Sequence, residues 1–134
     1  MSVRTRKPAK LSLKAEFQAE YDRRIQERRE REEAERRQHE LDLANATELC
    51  ELLSADKAFL AEHGLAVDQR RYTVSIDHAS YRIAAYFEAG RASVTSADKR
   101  MSAPGSAAPR KQEMVETVAD ALRVMARYLA DEAR

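Results

Sequence analysis

The stretch Arg71–Thr95, RYTVSIDHASYRIAAYFEAGRASVT, decides the fold. Tyr72, Val74 and Ile76 alternate with Thr73, Ser75 and Asp77. Tyr81, Ile83, Ala85 and Phe87 alternate in the same way with Arg82, Ala84 and Tyr86. A period of two places successive side chains on opposite faces of an extended chain, so each run has one apolar face. Asp77-His78-Ala79-Ser80 between the runs is turn chemistry. Glu88-Ala89-Gly90-Arg91 then supplies a glycine for a positive φ before Ala92–Thr95. The spacing predicts a three-stranded antiparallel meander. A helix from His78 to Ala89, capped by Asp77 and ended at Gly90, competes with it, because its alanines are strong helix formers.

Upstream, no Gly or Pro interrupts the chain from Ser12 to about Leu53, and strong helix formers dominate. Within Gln26–Glu40, 11 of 15 residues are charged and only Ala34 is apolar. Glu27–Arg31, Glu32–Arg36 and Glu33–Arg37 are i,i+4 pairs in the favourable order, each worth ~0.2–0.5 kcal/mol. Such pairing holds a helix together in water without an apolar face. A helix of these ~42 residues is ~63 Å long, whereas a compact chain of this size has a radius of gyration of only ~14 Å. It is expected to project from the body or to lie along a second subunit.

The apolar residues of this helix do not sustain a heptad. Phe17, Tyr21 and Ile25 repeat at four and four, and the stripe then meets Arg and Glu until Leu41. Ala46, Leu49, Leu53 and Leu60 fit an a/d seam, which Asp56 interrupts. The segment reads as a solvated arm with apolar ends. Phe17, Tyr21, Ile25, Leu41, Leu49 and Leu53 are its candidate self-association residues. Leu49, Leu52, Leu53, Phe59 and Leu60 share a face and are the expected core. A break near Ser54 should precede a short helix that ends at about His63, before Gly64.

Beyond the meander, Pro104, Gly105 and Pro109 make residues 99–110 a loop. Lys111 to about Ala133 reads as an amphipathic helix, with Met114, Val118, Leu122, Met125 and Leu129 on one stripe beside Val115 and Ala121. The expected fold class is α+β and mostly helical. Its parts are a basic flexible arm (1–11), a long charged helix (12–53) and a small α+β body (54–134).

Composition narrows the function. Among 134 residues, 24 Lys and Arg face 23 Asp and Glu, giving a net charge of +1. Aromatics are 6% and Trp is absent, which predicts a small core. Three Gly and three Pro are too few for an all-β chain. Cys50 stands alone, so no internal disulfide forms. No apolar run approaches the ~18 residues of a membrane span. The basic start, MSVRTRKPAK, lacks the apolar segment of a secretory leader, and a cytoplasmic location is expected.

Chemistry has no visible carrier. His39, His63 and His78 are widely separated, and neither HxxxH nor CxxC spacing occurs, so no metal is expected. Ser75, Asp77 and His78 are the residue types of a nucleophilic triad, but they sit together on one strand and turn. Gly64, Gly90 and Gly105 are isolated, which excludes a phosphate-cradling loop or a dinucleotide fingerprint. No catalytic residue, cofactor or small-molecule substrate follows, and the chain is not expected to be an enzyme.

The leading expectation is a protein-interaction or scaffold protein that self-associates, or binds another protein, through its helical segments. The alternative is a nucleic-acid-associated protein. It would use a basic arm of Arg4, Arg6, Lys7 and Lys10 together with the basic 70–111 surface. That surface includes Arg82 and Arg91, and on the meander Arg82 shares a face with Tyr86. Near-neutral overall charge weighs against it, since dedicated binders usually exceed a pI of ~9.

Overall fold

A computed structural model describes residues 11–100 and 109–133. The expected basic arm, Leu11 apart, and most of the expected loop (101–108) lie outside the described residues. Helix α1 runs Leu13–Ser54, and the Ser12 hydroxyl accepts the Ala15 N–H at 3.1 Å at its start. Helix α2 (Lys57–His63) follows the expected break and ends at Gly64, whose φ of 67° is left-handed. Five strands come next: β1 (Ala66–Arg70), β2 (Thr73–Asp77), β3 (Tyr81–Glu88), β4 (Arg91–Asp98) and β5 (Pro109–Val115). Helix α3 (Val118–Glu132) closes the order, with the Thr117 hydroxyl accepting the Asp120 N–H at 3.0 Å.

The strands form one antiparallel sheet in sequence order, each paired with the next. The fold is α+β, as expected, but the meander has five strands rather than three. The segment 78–89 is strand β3 with its preceding turn, not a helix. Its even alternation settles the contest: Tyr81, Ile83, Ala85 and Phe87 are all buried, whereas Arg82 and Tyr86 are exposed. The last helix begins at Val118 instead of Lys111, because 109–115 is strand β5 along β4.

Cross-strand register builds the inner face. Val74, Ala85 and Val94 lie in one row, Ile76, Ile83 and Ser96 in the next, and Phe87, Ala92 and Val115 in a third. Ala46, Leu49 and Leu53 of α1 join this core with Val118, Ala121, Val124, Met125, Tyr128 and Leu129 of α3. Leu52, Phe59 and Met114, expected in the apolar stripes, are exposed. Met114 is exposed because it belongs to a strand and points away from Val115.

The chain divides into two units, one up to Arg37 and one from Gln38 onward. In the first, ion pairs run along α1. Arg24 meets Glu20 at 2.9 Å, Arg37 meets Glu33 at 3.2 Å, Arg23 bridges Glu20 and Glu27, and Arg36 reaches Glu33. The Glu33–Arg37 pair is one of those expected.

In the second unit the β3–β4 connection is a two-residue turn. Ala89 and Gly90 both take positive φ, 55° and 81°, as a type I′ turn requires. Their N–H groups donate to Oδ2 and Oδ1 of Asp42, each at 2.9 Å, and Gln38 Nε2 donates to Oδ1 at 3.2 Å. Asp42 is only 2% exposed. A buried carboxylate is tolerated when charge-assisted hydrogen bonds replace its water, and here three do.

Asp42→Ala leaves two amides of the turn without their acceptor and should cost about 2–3 kcal/mol. Ala89→Asn should act in the opposite direction. It installs the preferred Asn-Gly pair and relieves part of the ~1–2 kcal/mol that a left-handed non-glycine residue costs. Urea unfolding midpoints check both. An Asp42→Ala chain as stable as the parent would contradict this account of the turn.

Candidate interaction site

The first unit carries an apolar stripe on a charged helix. Leu13, Phe17 and Tyr21 are 86%, 61% and 50% exposed. Their four-residue spacing keeps them on one side of α1. The Phe17 and Tyr21 rings stack with centroids 5.7 Å apart. Ile25 extends the stripe and is half-buried. Beside it, hydrogen bonds from the Arg23 and Arg24 guanidiniums hold the Glu20 carboxyl at a pKa of about 2, so the rim stays charged.

The rest of the expected self-association set behaves differently. Leu41 is exposed, but Leu49 and Leu53 are buried in the chain's own core. The expected six-residue set therefore splits, and those two leucines are not available to a second chain. The cause is that α1 continues past Leu41 over the inner face of the sheet, which consumes them.

A second apolar surface, lined in part by Met125 of the last helix, lies outside the expected self-association set. Between α2 and α3 lies an open groove of about 620 Å³, lined chiefly by Leu53, Phe59, Leu60, Leu122, Met125 and Leu129. The Phe59 ring packs on His63 with centroids 4.4 Å apart. Exposed Ala126 and Ala130 keep the α3 wall low. The only sequence signal was an excess of Leu and Phe over what one helical face can bury.

The residues of the alternative reading are in part outside the described region. Arg4, Arg6, Lys7 and Lys10 lie there. Arg82 and Tyr86 do share the open face of the sheet, and the Arg82 guanidinium donates to Ser75 Oγ at 3.2 Å. Other bases of the 70–111 block meet carboxylates. Arg91 is 3.3 Å from Glu116, Lys99 is 2.8 Å from Asp77, Arg100 is 3.1 Å from Asp98, and Lys111 reaches Asp131. These contacts offset much of the block's positive charge.

The residues weighed for catalysis are held in local contacts. Ser75 is buried beneath Arg82, and His78 stacks on Tyr81 while its Nδ1 accepts the Ser80 N–H at 2.9 Å. His39 packs on Tyr72. Burial pushes the Tyr81 hydroxyl up, and burial followed by the charge of Glu113 does the same for Tyr128. Among the described residues there is no group of three or more potential metal ligands. None of their helices is long and apolar enough to cross a membrane. No family model, curated protein or solved structure matches the chain.

Proposed function

We propose that the protein is a non-enzymatic interaction module that assembles with copies of itself through α1. The observation that carries this reading is the exposed stripe of Leu13, Phe17 and Tyr21 on a helix otherwise solvated by charge. Covering Phe17 alone is worth ~1.5–3 kcal/mol, which is roughly a tenfold to hundredfold gain in affinity. Exposed Leu41 is a secondary contact, whereas Leu49 and Leu53 serve the fold.

Sedimentation equilibrium at micromolar concentration tests the proposal. The parent chain should exceed the 15.2 kDa of a monomer, and Phe17→Asp should weaken association by about tenfold or more. Because Phe17 is exposed, its replacement should leave unfolding midpoints unchanged at protein concentrations too low for association. A parent chain that is strictly monomeric would sink the proposal.

A second reading, association with nucleic acid, is favoured by Arg82 and Tyr86 on the open sheet face. A cation beside an aromatic ring suits charge plus stacking. With the body's bases largely paired, its electrostatic component falls to Arg4, Arg6, Lys7 and Lys10. Four phosphate contacts on duplex DNA give a log–log salt slope of about −3.6. Replacing the four bases by Gln in the full chain should flatten that slope. Absence of binding at ~50 mM salt, where phosphate contacts are strongest, would remove the reading.

A further inference from the structure

We propose that the groove between α2 and α3 binds a small amphiphilic cation, with an aliphatic body between the two helices and an ammonium group at Asp56. The site lies wholly within the unit from Gln38 onward.

The cavity has the size and make-up of a small-ligand site. Its volume of about 620 Å³ falls inside the ~300–1,000 Å³ of such pockets, which are mainly apolar with few polar groups. Its floor is the core, since Leu53, Ile76, Met125 and Leu129 are all buried. Its rim is not: Phe59 is 43% exposed, and Leu60 and Leu122 are only partly covered. Helix α2 buries none of its residues, so an occupant covers apolar surface that the fold leaves wet. The α3 wall runs from Leu122 to Ala133, a rise of ~16 Å, which suits an elongated body.

Charge selects the head group. With histidine counted neutral, Asp56 is the single formal charge among the lining residues. It occupies the N-cap position of α2, yet its side chain accepts no N–H of that helix, and among the described residues no ion pair holds it. Lys57, next in sequence, does not line the groove. Asp56, Phe59, Leu60 and His63 are spaced i, i+3, i+4 and i+7, so they share one side of α2. The exposed Phe59 ring therefore stands one turn from the carboxylate. A carboxylate and the face of an aromatic ring both attract a cation, and both repel an anionic head on the same body.

Octylammonium, octanol and octanoate share one chain and differ in the charge of the head group. Titration of the full chain with each, followed by the NMR amide shifts of α2 and α3, tests the proposal. Octylammonium should bind tightest and octanoate weakest. Asp56→Asn should weaken octylammonium by roughly two- to fivefold and leave octanol unchanged. Ala126→Phe fills the groove from an exposed position and should weaken octylammonium and octanol alike, by about tenfold or more. Ala130→Phe replaces it if that chain unfolds. Phe17→Asp lies in the other unit and should bind like the parent, which separates this site from self-association.

Octanoate binding as tightly as octylammonium, or an Asp56→Asn chain that keeps its preference for the ammonium, would overturn the proposal. So would a parent chain that binds none of the three, or binding that a folded groove-filling variant leaves intact.

Discussion

The buried Asp42 carboxylate and the type I′ turn at Ala89-Gly90 hold each other in place, and the arrangement of the body follows from that pairing. A type I′ turn aims the amides of its two central residues away from the hairpin, where they need an acceptor. Asp42 provides both oxygens from a different element, which sets the rotation of α1 at that point. Ala46, Leu49 and Leu53 follow at i+4, i+7 and i+11, the spacing of one helical face, so orienting Asp42 toward the turn also turns all three onto the sheet. The same rotation leaves Leu41 and Leu52 on the outer side of the helix.

That constraint divides the apolar residues between fold and function. Leucines near the end of α1 are spent on covering the inner face, which α3 completes. The groove beside α2 is walled by Phe59 and Leu60 of that seven-residue helix and by Leu122, Met125 and Leu129 of α3. In the first unit Leu13, Phe17 and Tyr21 keep their exposure. The proposed association surface is thus made of what the core does not use, not of a motif.

Much of the architecture was legible because its signals are local. β2 and β3 each carry an apolar face at period two, Gly64 and Gly90 mark a helix end and a turn, and α1 lacks breakers. β1 was not legible: Ala66, Asp68 and Arg70 face water at a sheet edge, leaving only Val67 and Gln69 half-buried. β5 inverts the usual pattern. Lys111 and Glu113 are half-covered because they reach α3, through Asp131 for the one and Arg127 and Tyr128 for the other, while Met114 is exposed. Asp42 looked like one more acid on a solvated helix, since its partners lie 47 and 48 residues away. Of the candidate site, Phe17 and Tyr21 could be picked out from their isolation among charges. The groove is made by two segments distant in sequence, and no local pattern encodes it.

The central claim is that the α1 stripe is free for a partner while the end of α1 is locked into the fold. Hydrogen exchange followed residue by residue, at low and high protein concentration, tests it most directly. Amides of Leu49–Leu60 and 115–129 should exchange slowly at both concentrations, and those of 26–37, whose ion pairs are exposed, should exchange fast at both. Residues 13–25 should gain protection only at the higher concentration. Protection of 13–25 that ignores concentration, or strong protection throughout 26–37, would contradict the account.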